Sequence, residues 1–172
     1  MAIRPILGFD QPILREKARR VSKIDLSIIR LIDDLADTMF AAPGAGLAAN
    51  QVGVLLRVCV VKGDQNQVWG LVNPELVRGE GLQVGYEGCL SFPGWVGEVA
   101  RYEKVVVKGR NRKGKEVRIT STGFTARAFL HELDHLDGIL FTDRLTSLDS
   151  LRRVEDVEDE EVNAEDLEAA QA

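Results

Sequence analysis

The sequence lacks what several protein classes need. Its 172 residues contain only two cysteines, Cys59 and Cys89, which excludes a disulfide scaffold. No apolar run approaches the roughly 20 residues of a membrane-crossing helix. Residues 1–5 carry no apolar signal core, so a reducing cytoplasm is the expected compartment. Basic residues stop at Arg153, and nine of the 27 acidic residues lie beyond it. The net charge of -5 therefore averages a body of +4 with a tail of -9. Neither part has the strong basic excess that phosphate binding demands, so direct nucleic-acid readout is not expected. Only two histidines are present, His131 and His135. Any imidazole chemistry is confined to that one place.

What remains reads as one catalytic domain over residues 1–153, followed by an acidic tail over 154–172, partly helical or disordered. Residues 26–40 form a helix. Ile28, Ile32, Leu35 and Met39 share one face, Asp25 caps the start, and Asp33, Asp34 and Asp37 sit away from that face. A short helix is expected over 11–20 and another from Ser147. Residues 54–62 form a buried strand, with shorter strands at 68–72 and 82–84. Residues 103–109 and 115–121 pair as a hairpin around a basic turn. A second firm helix covers 122–137, with Gly138 at the position that ends it. Strands in the middle and helices near both ends favour α+β, with an N-terminal helical region.

The two histidines fall in His131-Glu132-Leu133-Asp134-His135, an H-E-x-x-H motif. Positions i and i+4 share a helix face, so both imidazoles reach one ion. Glu132 lies beside that ion, where its carboxylate can take a proton from water. A catalytic site needs a third ligand, and no histidine is left to supply it. Carboxylates from Glu155 onward belong to a solvated acidic run, a poor place for a rigid ligand. Cys89, in Glu87-Gly88-Cys89-Leu90-Ser91, is the better donor, and Gly88 would allow an unusual backbone angle before it. Cys59, inside Val58-Cys59-Val60-Val61, reads as core. Gly44 and Gly46 suit a loop that lets a substrate backbone come close. Gly44-x-Gly46-x-x-Ala49 also imitates a dinucleotide fingerprint, but a helix precedes it where a strand is required.

Three segments together resemble the peptide deformylase family. They are Gly44-Ala45-Gly46-Leu47-Ala48-Ala49-Asn50-Gln51, Glu87-Gly88-Cys89-Leu90-Ser91 and His131-Glu132-Leu133-Asp134-His135. The resemblance covers residues 1 to about 145. It implies an α+β fold with antiparallel sheets around a central metal-bearing helix. It implies Cys89, His131 and His135 as ligands of one divalent ion, ferrous iron first, with zinc, nickel or cobalt accepted. Glu132 would be general base and acid. Gln51 and the Leu90 N–H would hold the formyl oxygen. Gly44, Ala45, Gly46, Glu87 and Gly88 would contact substrate, and Phe124, Ala128, Phe129 and Trp95 are candidates for an apolar pocket. The implied reaction removes the N-formyl group from formylmethionyl peptides and nascent chains and releases formate. A +4 body is compatible with work near the ribosome, with no membrane partner. Many bacterial relatives carry Arg where this chain has Val96, and Gln where it has Leu130. The alternative is a zincin-type endopeptidase, which shares H-E-x-x-H but needs a ligand further downstream.

Overall fold

A computed structural model describes residues 2–158. It is built on two antiparallel sheets. The larger orders its strands β1 (Gly46–Ala48), β2 (Val58–Lys62), β3 (Val68–Glu80), β6 (Lys104–Arg110) and β7 (Glu116–Thr122). The smaller joins β4 (Gln83–Cys89), β5 (Phe92–Arg101) and β8 (Arg152–Arg153). Helices α1 (Leu26–Ala41) and α2 (Gly123–Leu136) pack on opposite faces of the larger sheet, and a short α3 (Val154–Glu158) ends the described chain. This is the expected α+β architecture.

Strand β2 shows why its sequence does not alternate. Val58 and Val60 pack with α1 residues Ile28, Leu31 and Leu35. Cys59 and Val61 face the other way, against Ala128, Phe129 and Leu133 of α2. Both faces are covered, so both must be apolar. Cys59 is core, as its neighbours suggested, and burial pushes its thiol well above the ordinary range.

Asp25 caps α1, its side chain accepting from the Ser27 and Ile28 N–H groups at 2.9 and 3.3 Å. Asp34, expected on the solvent side, is instead buried. It accepts from Arg4 Nε at 2.8 Å and the Ala2 N–H at 2.7 Å, so the N-terminal segment covers it. The fingerprint-like glycines follow this helix, which leaves no strand before them and removes the dinucleotide reading.

Several local expectations need correction. The helix anticipated over 11–20 is only a 3₁₀ turn, Pro12–Arg15. The helix anticipated from Ser147 is a three-residue turn, then β8, then α3. Strand β5 was not anticipated, because Pro93, Gly94 and Gly97 punctuate it. The hairpin formed by β6 and β7 holds from Lys104↔Thr122 to Arg110↔Glu116. The acidic segment begins within the packed body, since Val157 is buried against Val96. Most of the tail lies outside the described residues. Among the described residues no helix is long and apolar enough to cross a membrane.

Candidate metal centre and its surroundings

Helix α2 is buried along nearly its whole length from Ala126 to Leu136, which seals its histidines from bulk water. Its C-terminal end is held by three outside donors. Asn50 Nδ2 reaches the His135 carbonyl at 2.5 Å, and Arg57 Nη1 and the Ala18 N–H reach that of Leu136 at 3.0 and 2.8 Å. These satisfy carbonyls that a helix end leaves open. Gly138 follows at φ 74°, and a Cβ there would also stand 2.5 Å from the Arg15 carbonyl oxygen. Glycine is required by angle and by space.

The expected ligand set assembles. His131 and His135 approach Nε2 to Nε2 at 3.1 Å, and Cys89 Sγ lies 3.2 Å from His135 Nε2. The ligand atoms of Cys89, His131 and His135 all lie within 4.8 Å of one another, and all three residues are buried. Such spacing is close to the edges of a tetrahedral site with two nitrogens and one sulfur, about 3.4–3.6 Å from ordinary zinc bond lengths. Three donors among the described residues leave a position open for water or substrate. Soft sulfur with two imidazoles suits zinc or ferrous iron and not magnesium or calcium. The residues therefore fit a divalent transition metal.

Cys89 faces α2 with its Sγ against His135, at the point where the pairing of β4 with β5 slips between Glu87 and Cys89. Gly88 sits at that irregularity, but its φ is not in the left-handed region, contrary to the reason expected for it. It is buried. Such irregularities re-aim side chains at sites.

Glu87 also departs from expectation. It was placed among substrate contacts, yet it is enclosed beneath the metal cluster. Its Oε1 lies 2.8 Å from His131 Nδ1. Arg101 donates to both of its oxygens, at 2.8 and 2.9 Å, and Arg127 donates to Oε2 at 2.7 Å. Burial opposes its charge, but hydrogen bonds from Arg101 and His131 win and hold the carboxyl well below the usual range. A carboxylate behind the far nitrogen fixes the ring and leaves Nε2 for a metal. Asp134 extends the network by accepting from Arg101 at 2.6 Å and from Arg144 at 2.9 Å.

The two histidines are pushed in opposite directions. Burial disfavours a charge on His131, but hydrogen bonds to Cys89 and Glu87 raise its pKa well above the ordinary value. Burial and the charge on His131 hold His135 well below it.

Glu132 is the exceptional group. It is buried, and neither carboxylate oxygen has a hydrogen-bond partner among the described residues. Burial pushes its carboxyl up to about 8, against the pull of His131. It faces β1, where a Cβ on Gly46 would stand 2.8 Å from its Cγ and Cδ and closer still to Oε1. Gly46 is thus the space that the carboxylate occupies. Changing Gly46→Ala should move Glu132 and lower kcat at least about tenfold, with metal content unchanged; displacement of a positioned group is costly at this scale. Steady-state kinetics beside metal analysis checks it.

Gln51 is also buried. Its Oε1 accepts from the Ala48 N–H at 3.0 Å, which turns Nε2 toward Cys89 Sγ at 3.6 Å and Ser91 Oγ at 3.1 Å. Leu90 follows Cys89 and packs over Gly44, where a Cβ would meet its Cδ1 at 2.7 Å. Gly44 and Ala45 line a cavity of about 470 Å³ with Phe124 and Thr125. Of the proposed apolar-pocket residues, Phe124 borders this cavity, while Ala128 and Phe129 are buried in the sheet–helix core. Trp95 stacks on Phe92 with ring centres 5.9 Å apart.

Sequence reasoning missed Arg101, Arg127, Asp134, Arg144 and Ser91. Arg127 stands one helical turn before His131, a spacing that could have drawn notice. Arg101 has no sequence signal, because it meets Glu87 only through the pairing of β4 and β5.

Comparison with known proteins supplies a name for this arrangement. The family model for polypeptide deformylase matches residues 3–151. A peptide deformylase of Symbiobacterium thermophilum is 52% identical over 163 residues, covering 94% of this chain and 74% of that protein. A peptide deformylase of Thermomicrobium roseum is 47% identical, over 95% of this chain and 98% of its own length. The crystal structure of a peptide deformylase from Legionella pneumophila superposes with a TM-score of 0.81 at 46% identity, covering 86% of this chain and 88% of that one.

Proposed function

The chain belongs to the peptide deformylase family, and on that premise we propose how its residues divide the work. The reaction is metal-dependent hydrolysis of the N-formyl group from the N-terminal formylmethionine of nascent polypeptides, with release of formate. Cys89, His131 and His135 would hold one divalent ion. When bound, that ion supplies a Lewis acid that polarises the formyl carbonyl and makes water easier to deprotonate.

Glu132 does the proton work. Among the described residues its buried carboxyl has no competing hydrogen-bond partner, which leaves it to take a proton from the attacking water. It then passes that proton to the leaving amine. The formyl oxygen gains negative charge as the carbon becomes tetrahedral. Gln51 Nε2 and the Leu90 N–H donate to it, each such donor worth about 3–4 kcal/mol of barrier. The backbone of Gly44, Ala45 and Gly46 contacts the substrate backbone, and the cavity that Gly44 and Ala45 line beside Phe124 takes the methionine side chain. Glu87 orients His131 and does not touch substrate. Ferrous iron is the proposed ion, with zinc, nickel or cobalt able to replace it, and the proposed setting is the cytoplasm, near nascent chains at the ribosome.

The observation that carries this reading is the unpaired Glu132 carboxylate beside a Cys–His–His donor set. An endopeptidase of the zincin type is not favoured, because the third donor is Cys89 from a strand and no downstream carboxylate joins the group among the described residues. Anaerobically purified protein should contain about one divalent ion per chain. The same sample should release formate from formyl-Met-Ala and leave casein intact. Casein cleavage without formate release would overturn the assignment.

A further inference from the structure

We infer that residues 152–158 form one wall of the peptide-binding cleft, with Val154 a specificity-determining residue for the chain that follows the formylated methionine. This rests on the deformylase reading above and deepens it. The segment lies just beyond the family-matched span of residues 3–151.

Three separate contacts hold this segment on the body. Strand β8 pairs with β5, placing Arg153 opposite Trp95 and Arg152 opposite Val96. The Arg153 guanidinium lies 5.3 Å over the Trp95 ring, which itself stacks on Phe92. Val157 is 2% exposed and packs on Val96, itself 1% exposed, together with Tyr86 and Val154. Val154 and Val157 stand three apart on α3 and so share a face. Val157 anchors that face, and Val154 is only partly covered.

The uncovered part of Val154 borders a cavity of about 300 Å³ that is also lined by Cys89, Leu90, Phe92, Pro93 and Ala42. Cys89 and Leu90 make this cavity continuous with the metal cluster, so its occupant is joined to the reacting formyl group. The substrate has only one direction of chain, away from its formylated amine. Cys89 also borders a small cavity of about 40 Å³ against Phe9, Arg15 and Phe141, too small for a peptide side chain and its backbone, so the Val154 cavity is the one assigned to a residue after the methionine, whose own side chain takes the cavity beside Phe124. The side chains that line the Val154 cavity are apolar apart from the ligand thiol, while its polar surface comes from backbone, a combination that suits an apolar side chain on a peptide.

The test compares kcat/KM for formyl-Met-Ala, formyl-Met-Ala-Leu-Leu and formyl-Met-Ala-Lys-Lys on the metal-loaded full chain. In Val154→Asp the Leu-Leu to dipeptide ratio should fall about tenfold, through KM and not kcat, as expected for one apolar contact turned against its ligand. The Lys-Lys to dipeptide ratio should rise, which mere loosening of the fold would not cause. Should Val154→Asp fail to fold, Val154→Ala carries the test, with the Leu-Leu ratio expected to fall several-fold and the Lys-Lys ratio to hold. Ratios equal to those of the parent for every peptide would overturn the cleft wall. A parent protein that releases no formate from any of the three would instead overturn the deformylase reading on which it stands.

Discussion

Glu132→Gln should reduce formate release by about 10²–10⁴-fold, the usual worth of a positioned acid–base group. The amide keeps the shape and cannot take or return a proton at neutral pH. Glu132 is not a member of the Cys89–His131–His135 donor set, so metal content should stay at the parental level. The loss should lie in kcat, because the carboxylate acts on protons and holds no part of the peptide. The same change should not weaken the fold. The folded pKa of about 8 stands above the ordinary 4.5, so the native state disfavours ionisation. That contribution is present in full below the unfolded pKa and is lost as pH rises through 8, where the parent must carry a buried charge. Metal-free Glu132→Gln should therefore melt above metal-free parent at pH 9 and close to it at pH 4. Unchanged turnover would remove Glu132 from the mechanism. A lower melting temperature at pH 9 would mean that the carboxylate has partners not seen here.

Glu87→Ala is expected to have the largest effect on stability and a second effect on metal. Glu87 balances Arg101 and Arg127, and all three side chains are at most 5% exposed. After its removal Arg101 retains Asp134, while Arg127 retains the Val99 carbonyl at 3.0 Å. Breaking a buried pair from one side typically costs about 3–5 kcal/mol, because a charge stays behind without its partner. Urea unfolding of the metal-free variant measures that loss. His131 also loses the acceptor on Nδ1, and such outer partners are commonly worth about 10–100-fold in metal affinity. Competition against a chelator should show weaker binding by that amount. Glu87→Gln retains one acceptor for the arginines and should recover part of the stability and less of the affinity. If metal affinity were untouched while stability fell, Glu87 would be an ion-pair anchor only.

Much of the metal site was legible because its chemistry is local. His131 and His135 are one helical turn apart, so their common face follows from helix geometry before any fold is known. Cys89 was legible by elimination and by its motif. Glu87 was misread because a carboxylate beside a cysteine says nothing about direction. Glu87 and Cys89 stand two apart on β4, a spacing that puts both on one face, and only the packing of that face on α2 shows that Glu87 lies against His131 while Cys89 lies against His135. Asp34 was misread for a related reason. Helical phase places it at the edge of the apolar face, and an N-terminal segment 30 to 32 residues earlier closes over it.

The sequence by itself determined the two long helices, the buried central strand, the hairpin and the common face of His131 and His135. Each depends on periodicity, capping or a spacing within one turn, and such features are encoded within a few residues. Tertiary structure alone decided that Gly46 is the space reserved for the Glu132 carboxylate, that Arg101 and Arg127 brace Glu87 behind His131, and that Val157 carries the chain back onto Val96. These contacts join positions 14 to 86 residues apart. Their existence depends on strand order and register, which no local pattern specifies. Only burial shows why they matter, because a charge or a missing methyl group has large consequences where water is excluded.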